Sequence, residues 1–163
     1  MGLFKSNEQK EKELIEKITK PYNDNGFILS KAVFTMVKFT QGLFIIDTEN
    51  KKWALIESVY AKDNSNAKIY DFSDIKNYDA SNGEIQGNFT STVRIGGMLS
   101  SVSNKQASMK ITLYLNSNSI EDSTISLMDY TFDSDSIAAF NQNTHESRFN
   151  DLIKCLEYIQ NNK

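Results

Sequence analysis

The side chains most able to do chemistry in this protein of 163 residues are few, and they begin with one histidine and one cysteine. His145 could serve as the base of a Ser-His-Asp arrangement, but the sequence has no Gly-x-Ser-x-Gly turn to hold the nucleophile. A metal site built from several histidines is excluded, and Cys155 has no partner for an internal disulfide. We interpret His145 as a solvated residue in the first turn of a C-terminal helix.

Two other short patterns match ligand sites only in part. Asp133-Ser134-Asp135 has the start of a calcium loop but lacks the glycine and the final glutamate of an EF-hand. Gly96-Gly97 lacks the Lys-Ser/Thr pair of a phosphate loop and instead predicts a bulge or a close backbone approach in a strand over residues 91–99. We therefore expect no metal and no cofactor, and we do not expect an enzyme.

Composition narrows the classes of function further. The protein has 18 basic and 21 acidic residues, a net charge of −3, and only two of the basic residues are arginines. Nucleic-acid binding is therefore not expected. No apolar run is long enough to cross a bilayer, and no signal-peptide region precedes the charged residues, so we expect a soluble cytoplasmic protein. The abundance of Lys, Asn and Ile fits an AT-rich bacterial or phage gene.

Four residues are candidates for contact with a partner: Lys51, Lys52, Trp53 and Arg94. The first three follow one another at a hairpin, and tryptophan is enriched at the energetic centres of interfaces. A core position for Trp53 is the open alternative. Arg94 is expected on the polar face of an otherwise apolar strand, where a surface ion pair is the alternative to a specific contact.

The period of the apolar residues changes along the sequence and predicts the architecture. Residues 6–20 predict a charged helix that ends at Pro21 and is exposed to solvent. Loose packing on the domain and contact with a partner are the open alternatives for this helix. Strand-like alternation then dominates to about residue 130. Residues 143–160 return to a helical period, with Asn143 as the cap and an apolar stripe of Phe149, Leu152, Ile153, Leu156 and Ile159. We divide the protein into an N-terminal helix, residues 1–22, and one domain, residues 23–163.

Within the β-rich part, local signals place the strands and turns. A hairpin is predicted over residues 43–56, a short strand over residues 67–72, and turns at Ser73-Asp74 and Asn82-Gly83. Residues 108–115 alternate cleanly, so Met109, Ile111, Leu113 and Leu115 are expected to point inward. The inward face then shifts by one residue, which predicts a bulge near Leu127.

Residues 68–84 read KIYDFSDIKNYDASNGE: a strand with tyrosine, a Ser-Asp turn, an aromatic strand and an Asn-Gly turn. This segment resembles bacterial and phage domains of pleckstrin-homology-like (PH-like) fold. The hairpin over residues 44–55, and the strands and helix from residue 113 onward, are similar to the same group. The resemblance implies a mainly β, α+β fold: a bent antiparallel sheet or small barrel of about seven strands, capped by the C-terminal helix.

The resemblance implies binding of lipid headgroups, peptides or proteins, without choosing among them. Lipid-binding members carry a basic first hairpin, whereas the turn over residues 47–52 has two acids and two lysines, so phosphoinositide binding is not expected. We predict a non-enzymatic binding or adaptor module that acts through protein–protein contact, at a sheet edge or beside the last helix. The alternatives are a small-ligand or enzymatic barrel with an internal pocket and a peripheral membrane module; homo-oligomerisation stays open.

Overall fold

The computed structural model describes residues 5–62, 67–95, 98–116, 124–133 and 142–163, and within them every side chain except those of residues 84–95, 98–107, 132–133 and 142–143. In these ranges the protein forms two α-helices, α1 (Asn7–Asp24) and α2 (Gln142–Asn161). It also forms seven strands: β1 (Lys31–Val37), β2 (Thr40–Asp47), β3 (Lys52–Ile56), β4 (Ile69–Asp71), β5 (Ile75–Ile95), β6 (Met98–Leu115) and β7 (Thr124–Asp133). A 3-10 turn, Phe72–Asp74, joins β4 to β5.

The strands form one sheet in the order β4-β3-β2-β1-β7-β6-β5. The edge strands β4 and β5 are at opposite ends of this order, although only Phe72–Asp74 separates them in the sequence. Six strand spacings in a flat sheet would place the two edges about 29 Å apart. The four-residue step from Asp71 to Ile75 spans at most about 14 Å. The sheet must therefore curl until its edges approach, although it does not close into a barrel.

The predicted fold class is confirmed: the structure is mainly β, with seven strands and a helix near each end of the protein. Neighbouring strands are antiparallel, as expected, except that β1 and β7 pair in parallel at Met36 with Met128 and Val37 with Asp129. The sheet is therefore mixed. Each hairpin reverses the strand direction, so a seven-strand meander that brings its first and last strands together must pair them in parallel.

The prediction of a turn at Asn82-Gly83 was wrong. Both residues lie inside β5, where Asn82 is opposite Met109 and Gly83 is opposite Ser108 of β6. The local turn signal is overridden by this long-range pairing, whose register is fixed by the buried alternate residues of β6.

The strand predicted over residues 91–99 is divided between β5 and β6. Ile95 of β5 and Met98 of β6 are opposite each other in the antiparallel ladder. The bulge predicted at Gly96-Gly97 falls on residues outside those that the structure describes. The turn predicted at Ser73-Asp74 is confirmed by the 3-10 turn between β4 and β5.

Strands β6 and β7 follow the sequence prediction closely. The residues expected to point inward from β6 are all buried: Met109, Ile111, Leu113 and Leu115. In the ladder with β7, Ile111 is opposite Met128 and Thr112 is opposite Ser126, so Leu127 is an extra residue. Leu127 and Met128 are both buried. The predicted bulge is thus confirmed, and it turns two consecutive side chains into the core.

The central strands are buried on both faces. On one face, which we call the α1 face, α1 packs against a cluster that includes Leu43 and Ile45. On the other, the α2 face, α2 packs against a larger cluster that includes Phe44 and Ile46. The uninterrupted apolar run over residues 43–46 supplies both clusters, as expected for a strand that lies between two covering layers.

Helix α1 is longer and more buried than the sequence pattern predicts. It continues through Pro21 to Asp24, and its residues Ile18 and Tyr22 are 6% and 4% exposed. A proline inside a helix removes one backbone donor. The last turn is nevertheless stabilised by burial of Tyr22, whose ring lies edge-on to Phe27 at a centroid distance of 6.3 Å. The expectation of a solvated helix that ends at Pro21 was therefore wrong, although its first half is exposed.

Helix α2 begins at Gln142, so Asn143 lies in its first turn and not at the cap position that the sequence predicted. The predicted apolar stripe is confirmed, because its residues pack on the α2 face of the sheet: Phe149, Leu152, Ile153, Leu156 and Ile159. Cys155 lies in the same cluster at 3% exposure. Burial raises the pKa of its thiol, which favours the unreactive protonated form.

Candidate functional site

The α2 face changes character along strand β2. Alternate residues of a strand share a face, and those of β2 on the α2 face are Ile46, Phe44, Gly42 and Thr40. Ile46 and Phe44 are 2% and 0% exposed, whereas Thr40 is exposed. The strand therefore carries large apolar residues at one end and a glycine and a hydroxyl residue at the other.

The neighbouring strands change in the same direction. On β3, Trp53 is fully buried and Leu55 is half-buried, and Glu57, just past the strand, is exposed. On β4, Tyr70 is half-buried and the preceding Lys68 is exposed. The α2 face thus has an apolar half that α2 covers and a polar half that it leaves open. We call these the covered half and the open half.

The open half contains a cleft of about 620 Å³, which we call the mouth cleft. Hydroxyl side chains line much of it: Thr35, Thr40, Tyr70, Thr124 and Ser126. Apolar contact is provided by Val37, Leu55 and Ile125. The volume lies within the range of about 300–1,000 Å³ that is typical of ligand sites. Such a lining can hold a ligand by hydrogen bonds along its walls and by apolar contact between them.

Three charged residues lie around the mouth cleft: Lys38, Lys68 and Glu57. The ammonium group of Lys68 lies 5.1 Å from the centroid of the Tyr70 ring, within the range of a cation–π contact. Neither histidine nor cysteine is among the described residues that line the cleft.

The close approach of strands beneath the mouth cleft requires a glycine. A Cβ atom added at Gly42 would lie 2.5 Å from the carbonyl oxygen of Ile56 and 2.6 Å from the hydroxyl oxygen of Thr35. Real Cβ atoms do not come this close to backbone oxygen atoms. Gly42 therefore allows Thr35, which is 2% exposed, to pack tightly beneath the cleft.

A fully exposed aromatic residue projects beside the cleft. Val37 pairs with Thr40, so Lys38 and Phe39 form a two-residue turn between β1 and β2. Phe39 is 98% exposed, and Lys38 has φ of 56°, a left-handed conformation that costs energy in residues other than glycine. The backbone N–H of Lys38 donates to the carbonyl oxygen of Asp129 at 2.7 Å, which holds the turn against β7.

A second cavity, of about 410 Å³, lies on the other side of the same turn. We call it the basic pocket, because its described lining includes Lys38, His145 and Arg148. The expectation that His145 is solvated was wrong: it is 7% exposed, and its ring lies 4.6 Å from the Tyr130 ring, centroid to centroid. Among the residues that the structure describes, its Nδ1 has no hydrogen-bond partner. Burial, together with the nearby charge of Arg148, lowers the pKa of His145.

The structure does not bring the four residues singled out from the sequence together at the mouth cleft. Lys51 is exposed in the turn between β2 and β3 with φ of 53°, and Lys52 forms an ion pair with Asp71. Trp53 is fully buried, which matches the alternative of a core position, and it has no surface to offer a partner. Arg94 lies in β5 opposite Leu99, and its side chain is outside the described part.

The turn that contains Lys51 is organised by a buried carboxylate. Asp47 is 0% exposed and accepts hydrogen bonds from the backbone N–H of Ile28 at 2.9 Å and the side-chain amide of Asn50 at 2.7 Å. Burial raises the pKa of Asp47, but these hydrogen bonds outweigh it and the net pKa is lowered. One of the two acids counted in this turn is thus internal, so the exposed charge of the turn differs from the sequence count.

Sequence reasoning missed Phe39, Lys38 and the mouth cleft. A signal for the cleft was present in β2, where alternate residues run from Thr40 and Gly42 to Phe44 and Ile46. Such a gradient along one face indicates that the face is covered at one end only. Phe39 carried no comparable signal, because its apolar type favours a strand interior and not an exposed turn.

No group of three or more potential metal ligands is found among the residues that the structure describes. Over the same residues, neither helix combines the length and apolar character needed to cross a membrane. Comparison of the sequence with protein-family models, with curated proteins and with solved structures finds no match.

Proposed function

We propose that this protein is a non-enzymatic binding module that acts through protein–protein contact and holds a segment of its partner in the mouth cleft. The observation that carries the proposal is Phe39, 98% exposed beside an open cleft of about 620 Å³. Burying a phenylalanine side chain contributes about 1.5–3 kcal/mol. A turn held in a left-handed conformation with this residue at its tip is an anchor available to a partner.

The shape and lining of the cleft support an extended segment as its occupant. The hydroxyl groups of Thr35, Thr124 and Ser126 offer hydrogen bonds to a backbone, and Leu55 and Ile125 offer contact to apolar side chains. The PH-like resemblance is part of the proposal, since a curled sheet packed against a C-terminal helix is what it implies. A cytoplasmic setting and a phage or mobile-element origin also belong to the proposal.

The proposal is tested by capture from the source cells with the full-length protein and two variants. Phe39→Ser removes the anchor, and Val37→Trp fills the cleft; both are expected to abolish capture of a stoichiometric partner. The matched control is Tyr60→Ser, which removes another aromatic residue, 76% exposed, that does not line the cleft. Capture by Phe39→Ser and Val37→Trp at the wild-type level would overturn the proposal.

A second candidate function, binding of a small molecule, is favoured by the volume of the cleft alone. The same variants separate the two. A small-molecule site would lose its ligand in Val37→Trp and keep it in Phe39→Ser, because the exposed Phe39 side chain is not among the residues that line the mouth cleft. The ligand would be sought by native mass spectrometry of the purified protein.

A further inference from the structure

The basic pocket combines positive charge with a polar atom that has no partner. Lys38 and Arg148 provide two cations, and none of the described residues that line the pocket is acidic. His145 is more than nine-tenths buried and lines the same pocket, and its Nδ1 has no partner within the described part of the protein. An unpaired polar atom at this depth is energetically unfavourable. Both observations indicate a site that takes a polar ligand.

The residues around Arg148 determine how much negative charge a ligand can carry into the basic pocket. The guanidinium of Arg148 lies 5.1 Å from the centroid of the Phe34 ring, and the negative charge of Glu11 in α1 also acts on it. Glu11 and Asp151 line a neighbouring cavity that also includes Arg148. Because Glu11 offsets part of the charge of Arg148, the pocket suits one negative charge better than two.

The remaining walls are apolar. Met36, Phe39 and Tyr130 line the basic pocket with the basic residues. A free inorganic ion would gain nothing from these walls, whereas a carboxylate attached to an apolar or aromatic group would contact both parts. An arginine also pairs well with the planar, two-oxygen geometry of a carboxylate.

We propose that the basic pocket binds a carboxylate of the partner segment, carried by an acidic residue or by the partner's carboxyl terminus, with an apolar neighbour. This inference rests on the proposed function. Lys38 lines both the mouth cleft and the basic pocket, so one segment crossing the Lys38–Phe39 turn can occupy both. The carboxylate pairs with Lys38 and Arg148, and the apolar neighbour packs against Phe39 and Tyr130.

The presence of a single histidine in the sequence makes the test direct, because its ring protons give one assignable set of NMR signals. The full-length protein is titrated with N-acetylphenylalanine, which has a carboxylate beside an aromatic ring, and with its neutral amide. The acid is expected to shift the His145 signals saturably and to raise the pKa of His145, since a nearby anion favours the imidazolium. The amide is expected to leave both unchanged.

Lys38→Gln is expected to weaken binding of N-acetylphenylalanine by about tenfold, because one charge-assisted contact is lost. Lys154→Gln, an exposed position on the same helix as His145, is the matched control and should bind as the wild type does. Equal shifts with the amide, or no effect of Lys38→Gln, would overturn the inference. If inorganic phosphate, or vesicles containing phosphatidylserine, bind more strongly than N-acetylphenylalanine, the pocket is assigned to another anion and the inference is overturned.

The two proposals can fail separately. If Phe39→Ser abolishes capture of the partner while Lys38→Gln captures it as well as the wild type, the carboxylate inference fails and the binding module stands. If Phe39→Ser captures the partner normally, the proposed function fails irrespective of the NMR result.

Discussion

The two halves of the α2 face are formed by the same strands but differ in whether α2 covers them. In the covered half, Phe44 and Trp53 are fully buried beneath α2, and their rings lie 5.7 Å apart. In the open half, two residues further along the same strands, Leu55 lines the mouth cleft and Gly42 packs closely against Thr35 beneath it. Under the proposed function, one strand serves both stability and binding, according to whether a helix covers it.

A small curled sheet can in this way keep an open site without losing its core. Most of the large apolar residues are concentrated where α2 packs, and this cluster stabilises the fold. The open half is lined by residues that lose little by contact with water, such as Thr40 and Ser126. Its features can therefore vary with only a small effect on the stability of the fold.

The largest change in the free energy of unfolding is expected for a leucine in the core beneath α2, and a leucine in the open half is its comparison. Leu113→Ala removes a side chain that is 0% exposed and should lower the free energy of unfolding by about 2–5 kcal/mol. Leu55→Ala makes the same chemical change in the half-exposed wall of the cleft and should cost about 1 kcal/mol. Urea denaturation of both variants measures the difference. Equal losses would contradict the division of the face.

The next effect concerns the close packing beneath the cleft. Gly42→Ala places a Cβ against the oxygen atoms of Ile56 and Thr35 and should destabilise the fold by about 1–3 kcal/mol. Gly83→Ala is the matched control, because nothing lies within 4 Å of its added Cβ. It should leave stability unchanged or raise it by about 0.5–1 kcal/mol. Thermal or urea unfolding of the pair checks both values.

A smaller effect comes from His145, at the boundary between the covered half and the basic pocket. Its pKa is lowered in the folded protein, so the unfolded protein takes up a proton first as the pH falls. Stability is therefore expected to be complete above about pH 6.5, the ordinary value, and to be lost as the pH falls through the folded pKa.

His145→Gln should remove this part of the pH dependence, which urea titrations between pH 7 and pH 5 would measure. The charged group that acts on His145 is Arg148, and Lys38 lines the same pocket. A pH profile that is identical in His145→Gln and the wild type would show that the histidine is not buried in its neutral form.

The smallest expected effect is at the surface. Lys52 and Asp71 form an ion pair with side chains that are 39% and 54% exposed, and such pairs contribute at most about 1 kcal/mol. Lys52→Ala should therefore lower the free energy of unfolding by less than Leu55→Ala does, and it should leave capture of the partner intact. A loss of capture would instead support the sequence-based choice of Lys51 and Lys52 as the contact surface.

The predictions that the structure confirms depend on local periodicity in the sequence. The inward alternation from Met109 to Leu115, the bulge at Leu127 and the stripe on α2 each follow from spacings within one element. The predictions that were wrong concern residues whose structure depends on contacts with residues distant in the sequence. Asn82-Gly83 is held in β5 by residues about 26 positions away, and His145 of α2 packs against Tyr130 of strand β7.

The candidate site could not be predicted for the same reason. The mouth cleft exists because α2 covers one half of a face and not the other, which no spacing within β1 or β2 specifies. Phe39 is exposed because a two-residue turn places it beyond the sheet, although its residue type favours burial.

The central claim is that the open half, and not another surface, binds the partner. The most direct measurement titrates the captured partner into the ¹⁵N-labelled protein and maps the amide signals that change. We predict changes at Val37, Lys38, Phe39 and Ser126, with the signals of α1 unchanged. Changes confined to α1, or to the turn that contains Lys51, with the residues of the mouth cleft unaffected, would contradict the account.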